Sequence, residues 1–272
     1  MRLISSGRLH ATFELGDLRV ISLRDGYIDM PPTRLRDEDG RTFLELPSAV
    51  PLVGENLRLA VNAFFVTDGA RALLIDTGGS DVWHDPTMGL IYDALDEAGV
   101  DRAQITDVAI THRHSDHVSG LIAPDGSEAF AKLERVWVGV GDTAVFEGRL
   151  EPIRDRVVRM SERVAITDWA TAIPAPGHTP GHTVFDISSG TGHLLVWGDT
   201  VHVPSLQFGR PNVAWEYDDD QSRARIARAV LLEQLIRPNH FVAGAHLESP
   251  GIARVARSGD GYTLEYLTAP IG

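Results

Sequence analysis

Three imidazoles and a carboxylate fall within six consecutive positions of this chain, in Thr111-His112-Arg113-His114-Ser115-Asp116-His117. The residues before them, 105–110, are short, apolar and β-branched, and read as a buried strand, so the cluster lies where a strand gives way to a loop. Alternate side chains of an extended backbone point the same way. His112 and His114 can therefore share one metal ion, while Asp116 and His117, after the chain turns, can face a second. Imidazole nitrogens and carboxylate oxygens suit Zn, Mn, Fe or Co, and two such ions roughly 3.5 to 4 Å apart can hold a hydroxide between them at neutral pH. A His-x-His pair alone is as easily part of a solvated polar loop; Asp116 and His117 at fixed offsets shift the reading to metal.

The rest of the chain can enclose such a site. At 272 residues and 43% hydrophobic content it can bury about three quarters of its unfolded surface, and residues 1–272 read as one domain. A formal charge of −13, with the 25 Lys and Arg spread along the chain, argues against a nucleic-acid partner. The absence of cysteine removes disulfides, thiolate ligands and cysteine nucleophiles together. No apolar window is long enough to cross a membrane and residues 1–8 do not resemble an export signal, so the expectation is a cytoplasmic protein.

Residues 18–23 alternate like a strand and Asp25-Gly26 reads as its turn. Residues 31–56, rich in proline and charge, read as a surface excursion, either a flap or subunit contact or a plain loop. Residues 57–67 and 72–76 read as a hairpin around Asp68-Gly69, ending in Asp76-Thr77-Gly78-Gly79. Asp76 is either the acceptor for a metal-bound histidine N–H or a turn-capping residue. Residues 87–98 have helical spacing, 136–140 read as a strand, and 142–163 as one or two helices broken near Pro152. Pro176-Gly177-His178-Thr179-Pro180-Gly181-His182 forces a tight turn that fixes a histidine, with His178 the ligand candidate and His182 a supporting or packing residue. Apolar strands then deliver Asp199, whose two oxygens suit a bridge between cations, and His246. Asp218-Asp219-Asp220 reads as the cap of a helix running to Pro238, and residues 252–267 as a terminal hairpin.

Assembled in order, His112-x-His114-x-Asp116-His117, His178, Asp199 and His246 resemble the metallo-β-lactamase superfamily. Ala63-Phe64-Phe65, Leu74-Ile75-Asp76-Thr77-Gly78, Gly177-His178-Thr179-Pro180-Gly181-His182-Thr183 and Ala245-His246-Leu247 resemble its methyl parathion hydrolase and lactonase branches. The resemblance implies an α/β fold, an αβ/βα sandwich of two mixed sheets with helices outside. It implies two divalent ions, zinc first among them with Mn, Fe or Co as alternatives: His112, His114 and His178 on one, Asp116, His117 and His246 on the other, Asp199 bridging, and Asp76 behind the ligands. The implied activity is attack by a bridging hydroxide on a small-molecule lactone or aryl ester, with phosphotriester cleavage as a side activity. Alternatives within the fold are a β-lactamase or thioesterase, and outside catalysis a metal-binding protein. The methyl parathion hydrolase resemblance also implies a homodimer.

Asp116 or His202 could relay a proton to the leaving oxygen. In the homoserine-lactone lactonases a Tyr stands where His202 stands here, so His202 is either a proton relay or a residue at the site's edge. Trp83, Phe146, His202, Phe208 and Tyr217 are the expected pocket wall, with Phe208 equally able to be core. Arg113 should alternate away from the ligands, leaving a pocket without a cation that favours neutral substrates.

Overall fold

Along the strand Leu57–Thr67, Ala63 and Phe65 face one hydrophobic cluster while Phe64 and Val66 face another. A strand apolar on both faces must be covered on both sides, which demands layers above and below its sheet. The computed structural model describes residues 1–43, 46–83 and 86–268. In chain order its strands are β1 (Arg2–Ser6), β2 (His10–Leu15), β3 (Leu18–Met30), β4 (Leu35–Arg36), β5 (Leu57–Thr67), β6 (Ala72–Ile75), β7 (Asp107–Ile110), β8 (Arg135–Gly139) and β9 (Val157–Met160). They continue as β10 (Val164–Ala165), β11 (Ala170–Pro174), β12 (Thr183–Ser189), β13 (Gly192–Val196), β14 (Ala214–Trp215), β15 (His240–Ala243), β16 (Ile252–Ser258) and β17 (Gly261–Tyr266). The α-helices are α1 (Ile91–Glu97), α2 (Ser115–Val118), α3 (Pro204–Gln207) and α4 (Gln221–Leu235).

One sheet has the order β1-β2-β3-β5-β6-β7-β8-β9, the second β10-β11-β12-β13-β15-β16-β17, and β14 pairs with β4 in a small ribbon. Phe13 and Phe64 from the first sheet meet Phe185 and Phe241 from the second in the layer between them. Each such fully buried side chain contributes about 1.5–3 kcal/mol of apolar transfer free energy. The outer face of the first sheet is covered by Ile91, Ala94 and Leu95 of α1, and that of the second by Leu231, Leu232 and Leu235 of α4. This is the expected α/β sandwich. No helix among the described residues is long and apolar enough to cross a membrane.

Several local expectations change in the tertiary setting. Asp25-Gly26 is not a turn: β3 runs through it to Met30, with a bulge against β5 between Arg24 and Gly26. The bulge turns the Asp25 side chain inward, where it is fully buried and accepts from the backbone N–H of Gly79 (2.8 Å) and of Ile91 (2.9 Å). Helix α1 accordingly starts at Ile91 rather than near residue 87, since its first-turn donor is satisfied by this distant carboxylate. The β5–β6 connection spans residues 68–71 rather than two residues, with Asp68 Oδ1 accepting from the N–H groups of Ala70 and Arg71. Residues 140–156 form 3₁₀ turns, with Pro152 removing a helical donor, and residues 157–160 are the edge strand β9, not helix. The excursion after β3 folds back through β4 onto β14.

Candidate metal centre

Strands β6 and β7 run parallel, as do β13 and β15, so the loops that leave their C-terminal ends collect at one edge of the sandwich. Those loops carry Asp76, His112 to His117, Asp199 and His246. The two sheets are tied there by the Thr183 N–H, which donates to the Thr111 carbonyl at 2.8 Å. Gly198, at φ +53, turns the chain just before Asp199; a Cβ at this position would lie 2.8 Å from Thr111 and 2.9 Å from His182 Nε2.

Two groups of potential ligand atoms result, each with its atoms within 4.8 Å of one another: His112, His114, His178 and Asp199, and Asp116, His117, Asp199 and His246. His114 Nδ1 lies 3.0 Å from both His112 Nε2 and His178 Nε2. Nitrogens of three imidazoles converge this closely around a common point when ~2.0–2.1 Å bonds to one tetrahedral ion set their spacing, at ~3.3 Å edges. Asp199 stands between the groups, with Oδ1 3.1 Å from His117 Nε2 and Oδ2 3.3 Å from His178 Nε2 and 3.1 Å from His246 Nε2. His117 Nε2 and Asp199 Oδ1 are both buried without a hydrogen-bond partner. An uncompensated buried nitrogen facing an uncompensated buried carboxylate oxygen is costly in a protein interior, and a cation between them removes the cost. The donor set fits a pair of divalent ions.

The electrostatics agree. Burial opposes ionisation of Asp199 and Asp116, but His246, His117 and His112 around Asp199, and His117 beside Asp116, outweigh it and hold both carboxyls below their ordinary range. Burial disfavours charge on His117, yet Asp116, Asp199 and Asp76 together drive it well above the ordinary value. His178 behaves alike, raised to about 9 against burial by Asp199 and Asp218. Burial and neighbouring imidazoles instead push His114 down to about 4 and His182 to about 3. The carboxylates thus favour positive charge among these ligand atoms, which divalent ions would supply.

Behind the ligand atoms the supporting hydrogen bonds are specific. Asp76, at φ +60, accepts from Thr111 N–H (2.8 Å), Thr111 Oγ1 (2.8 Å) and His117 Nδ1 (2.7 Å). His246 Nδ1 donates to the Ala60 carbonyl at 2.8 Å, and Asn62 Nδ2 donates to the carbonyls of Gly244, Ala245 and Leu247 around it. His182 Nε2 accepts from the Asp199 N–H at 3.2 Å, so it supports the loop. Asp142, fully buried, accepts from Arg113 N–H, Arg113 Nη1, Thr179 Oγ1 and Gly181 N–H, which fastens the 112–117 loop to the 177–182 turn and takes Arg113 away from the ligands. Asp218 is not a helix cap: Asp220 caps α4 by accepting from Arg223 N–H, while Asp218 accepts from His178 Nδ1 at 2.8 Å. Asn62 and Asp142 carried no local signal and the local signal at Asp218 was that of a cap; only their distant partners reveal their place.

A cavity of about 440 Å³ opens over the two groups, lined by Ile28, Met30, Arg34, Leu59, Trp83 and Trp215, with His202 and Tyr217 beside them and His114, Asp116, His178, Asp199 and His246 at its base. Trp83, His202 and Tyr217 therefore reach the expected wall. Phe146 and Phe208 do not. Phe146 packs into the cluster under α1, and Phe208 lies 5.8 Å from Trp197 in the cluster under α4, because their loops place them on the outer faces of the sheets. Trp215, unanticipated, stacks on His202 at 4.9 Å and 13°. His202 Nε2 is 3.2 Å from Asp199 Oδ2 and its Nδ1 is buried without a partner. The cavity also contains a cation after all: Arg34 is paired with Glu216 and lies 5.1 Å over the Tyr217 ring.

Residues 57–123 match the family described as the metallo-beta-lactamase superfamily. That segment carries β5, β6, β7 and the loop of His112 to His117. Similar solved structures include the dizinc quorum-quenching lactonase AidC, at 22% identity, TM-score 0.85, 96% of this chain and 98% of that one. The beta-lactamase superfamily hydrolase AbOPH is similar at 21% identity, TM-score 0.83, 97% of this chain and 99% of that one. Among curated relatives, a hydroxyacylglutathione hydrolase of Cereibacter sphaeroides is 29% identical over 61% of this chain and 57% of its own length. An atrochrysone carboxyl ACP thioesterase of Pseudocercospora fijiensis is 28% identical over 57% of this chain and 42% of its own length. The chain thus spans about half the length of these curated relatives.

Proposed function

We propose that this chain is a hydrolase working with two divalent ions, most simply zinc, that cleaves neutral lactones or aryl esters. The observation that carries the proposal is the pair of ligand groups sharing Asp199 at the floor of a cavity walled by Trp83, Trp215, Ile28, Met30 and Leu59. His112, His114 and His178 would hold one ion and Asp116, His117 and His246 the other, with Asp199 between them. Such ions supply an acidified water and a Lewis acid. The residues do the rest: Asp76 and Asp218 fix two imidazoles, the aromatic and aliphatic walls hold the acyl or aryl part and exclude water, and His202, against Trp215, faces the leaving oxygen. Asp116, at the cavity floor, is the alternative proton carrier.

A second reading, hydrolysis of an anionic thioester, draws on Arg34 in the wall and on the curated relatives named as a hydroxyacylglutathione hydrolase and an ACP thioesterase. Phosphotriester cleavage would be a weaker side activity of either. The shared core between the sheets supports one domain over 1–272. Exposed Leu52 and Val53 on the excursion support a homodimer contact there.

The test is a panel of lactones, aryl esters, phosphotriesters, thioesters and a β-lactam with metal-analysed protein. Neutral lactones or aryl esters should turn over fastest, and Asp199→Ala should lose at least one ion and the activity. High turnover confined to anionic thioesters would transfer the conclusion to the second reading. Full metal content and activity in Asp199→Ala would remove the binuclear one.

A further inference from the structure

The segment from Trp215 to Asp220 serves the cavity wall and the ligand cluster at once. Asp218, 5% exposed, uses Oδ1 to accept from His178 Nδ1 at 2.8 Å and Oδ2 to accept from the Trp215 N–H at 2.9 Å. Its neighbours grip the backbone of the same turn: the Asp219 N–H donates to the His178 carbonyl at 3.0 Å and the Asp220 N–H to the Gly177 carbonyl at 2.9 Å. On the other side, Trp215 belongs to the β14–β4 ribbon, where the Glu216 N–H donates to the Arg34 carbonyl at 2.7 Å and the Glu216 carboxylate binds Arg34 and Arg36. A single carboxylate therefore joins the imidazole of His178 to the strand that forms the cavity wall.

We propose that Asp218 is the positioning residue for His178, holding its tautomer and ring so that Nε2 points at His114 and Asp199, and that it ties the affinity of this ligand group to the placement of the Trp215 wall. The inference rests on the metal-dependent reading above. An imidazole whose Nδ1–H is committed to a carboxylate presents its Nε2 lone pair in one direction and is a stronger donor. The other ligand group has the matching device in the Asp76 bond to His117 Nδ1 at 2.7 Å. Each group thus has one Asp–His pair, and the pair at His178 also carries a wall of the cavity. Loss of the Asp218 carboxylate should weaken one ion and loosen the wall together.

The experiment compares wild type with Asp218→Ala, Asp218→Asn and, as a control for the segment's folding, Asp220→Ala, which removes the α4 cap and leaves the His178 contact. Chelator competition reads the affinity of each of two ions, and the visible spectrum of the Co(II)-substituted protein reads ligand geometry at each site. Asp218→Ala should weaken one ion about 10- to 100-fold, leave the other near its wild-type affinity, and change one of two Co(II) band sets. Asp218→Asn, which keeps a neutral acceptor, should fall between, and Asp220→Ala should retain both ions. KM should rise in Asp218→Ala alongside the fall in kcat. Two ions held at wild-type affinity in Asp218→Ala overturn the inference while leaving the metal-dependent reading standing. Equal loss of both ions in Asp218→Ala and Asp220→Ala overturns it as well, since the segment would then act only by folding. Wild-type protein that binds no divalent ion overturns the underlying reading, an outcome the variants are not needed to recognise.

Discussion

Asp76 is the position where backbone strain, buried hydrogen bonding and the candidate metal centre meet, and its removal has a magnitude that can be worked out. The residue sits at φ +60, a conformation that costs an alanine about 1–2 kcal/mol and an aspartate less. It accepts three hydrogen bonds, from Thr111 N–H, Thr111 Oγ1 and His117 Nδ1, all in a buried setting. Bonds to a charged acceptor are worth about 1.5–3 kcal/mol each, but the three form one network and do not add in full. Asp76→Asn keeps one acceptor oxygen and turns an amide N–H₂ toward a donor, so it should destabilise by about 2–3 kcal/mol. Asp76→Ala loses all three bonds and meets the left-handed penalty, for about 4–5 kcal/mol. Asp76→Gly loses the bonds without that penalty and should be about 1 kcal/mol more stable than Asp76→Ala. Urea unfolding in excess chelator measures these differences free of metal linkage. For a chain of this size the Asn variant should also melt about 3–5 °C lower. An Asn variant within about 0.5 kcal/mol of wild type, or Ala and Gly variants of equal stability, would refute the reasoning.

Burial raises the Asp25 carboxyl to about 6 from 3.8, against the lowering effect of its backbone donors. A raised folded-state value means that the stabilisation is complete below about pH 4 and is lost as pH rises through 6, by about 3 kcal/mol at 1.36 kcal/mol per unit. The stability of metal-free wild type minus that of Asp25→Asn should fall by that amount between pH 4 and 7; a constant or widening gap counts against it. His202→Ala should slow alkyl esters and lactones, whose alkoxides leave poorly, far more than p-nitrophenyl esters, and equal losses would reduce His202 to a packing partner of Trp215. Trp83→Ala should raise KM for aryl substrates more than for small aliphatic lactones; an unchanged ratio would remove Trp83 from the aryl contact.

What could be read from the chain itself was local. A short continuous apolar run followed by a polar residue is visible within about six positions, and four such runs deliver Asp76, His112, Asp199 and His246. The proline and glycine turn around His178 is local too, as is the Asp220 cap of α4. The order of the candidate ligands could therefore be traced without coordinates. Residues whose partners are remote in sequence could not be read this way. Asp25-Gly26 has the composition of a turn, but its bulge against β5 sends the carboxylate to the start of α1, 66 residues away. Asp218 has the neighbours of a cap, yet its partner is His178, 40 residues earlier. Asn62 lies within an apolar strand and holds the backbone around His246, more than 180 residues on. Phe146, Phe208 and Trp215 are all aromatic, and only the stacking of the sheets decides that the first two fill outer cores while the third lines the cavity. Arg34 enters that cavity because β4 folds back onto β14, a pairing between segments too short to announce themselves. The physical division is between covalent neighbourhood and through-space contact: periodicity and turn chemistry set which side chains leave the strand ends, whereas burial, hydrogen-bond partner and access to the cavity depend on what the opposite sheet and the distant loops bring within about 3 Å.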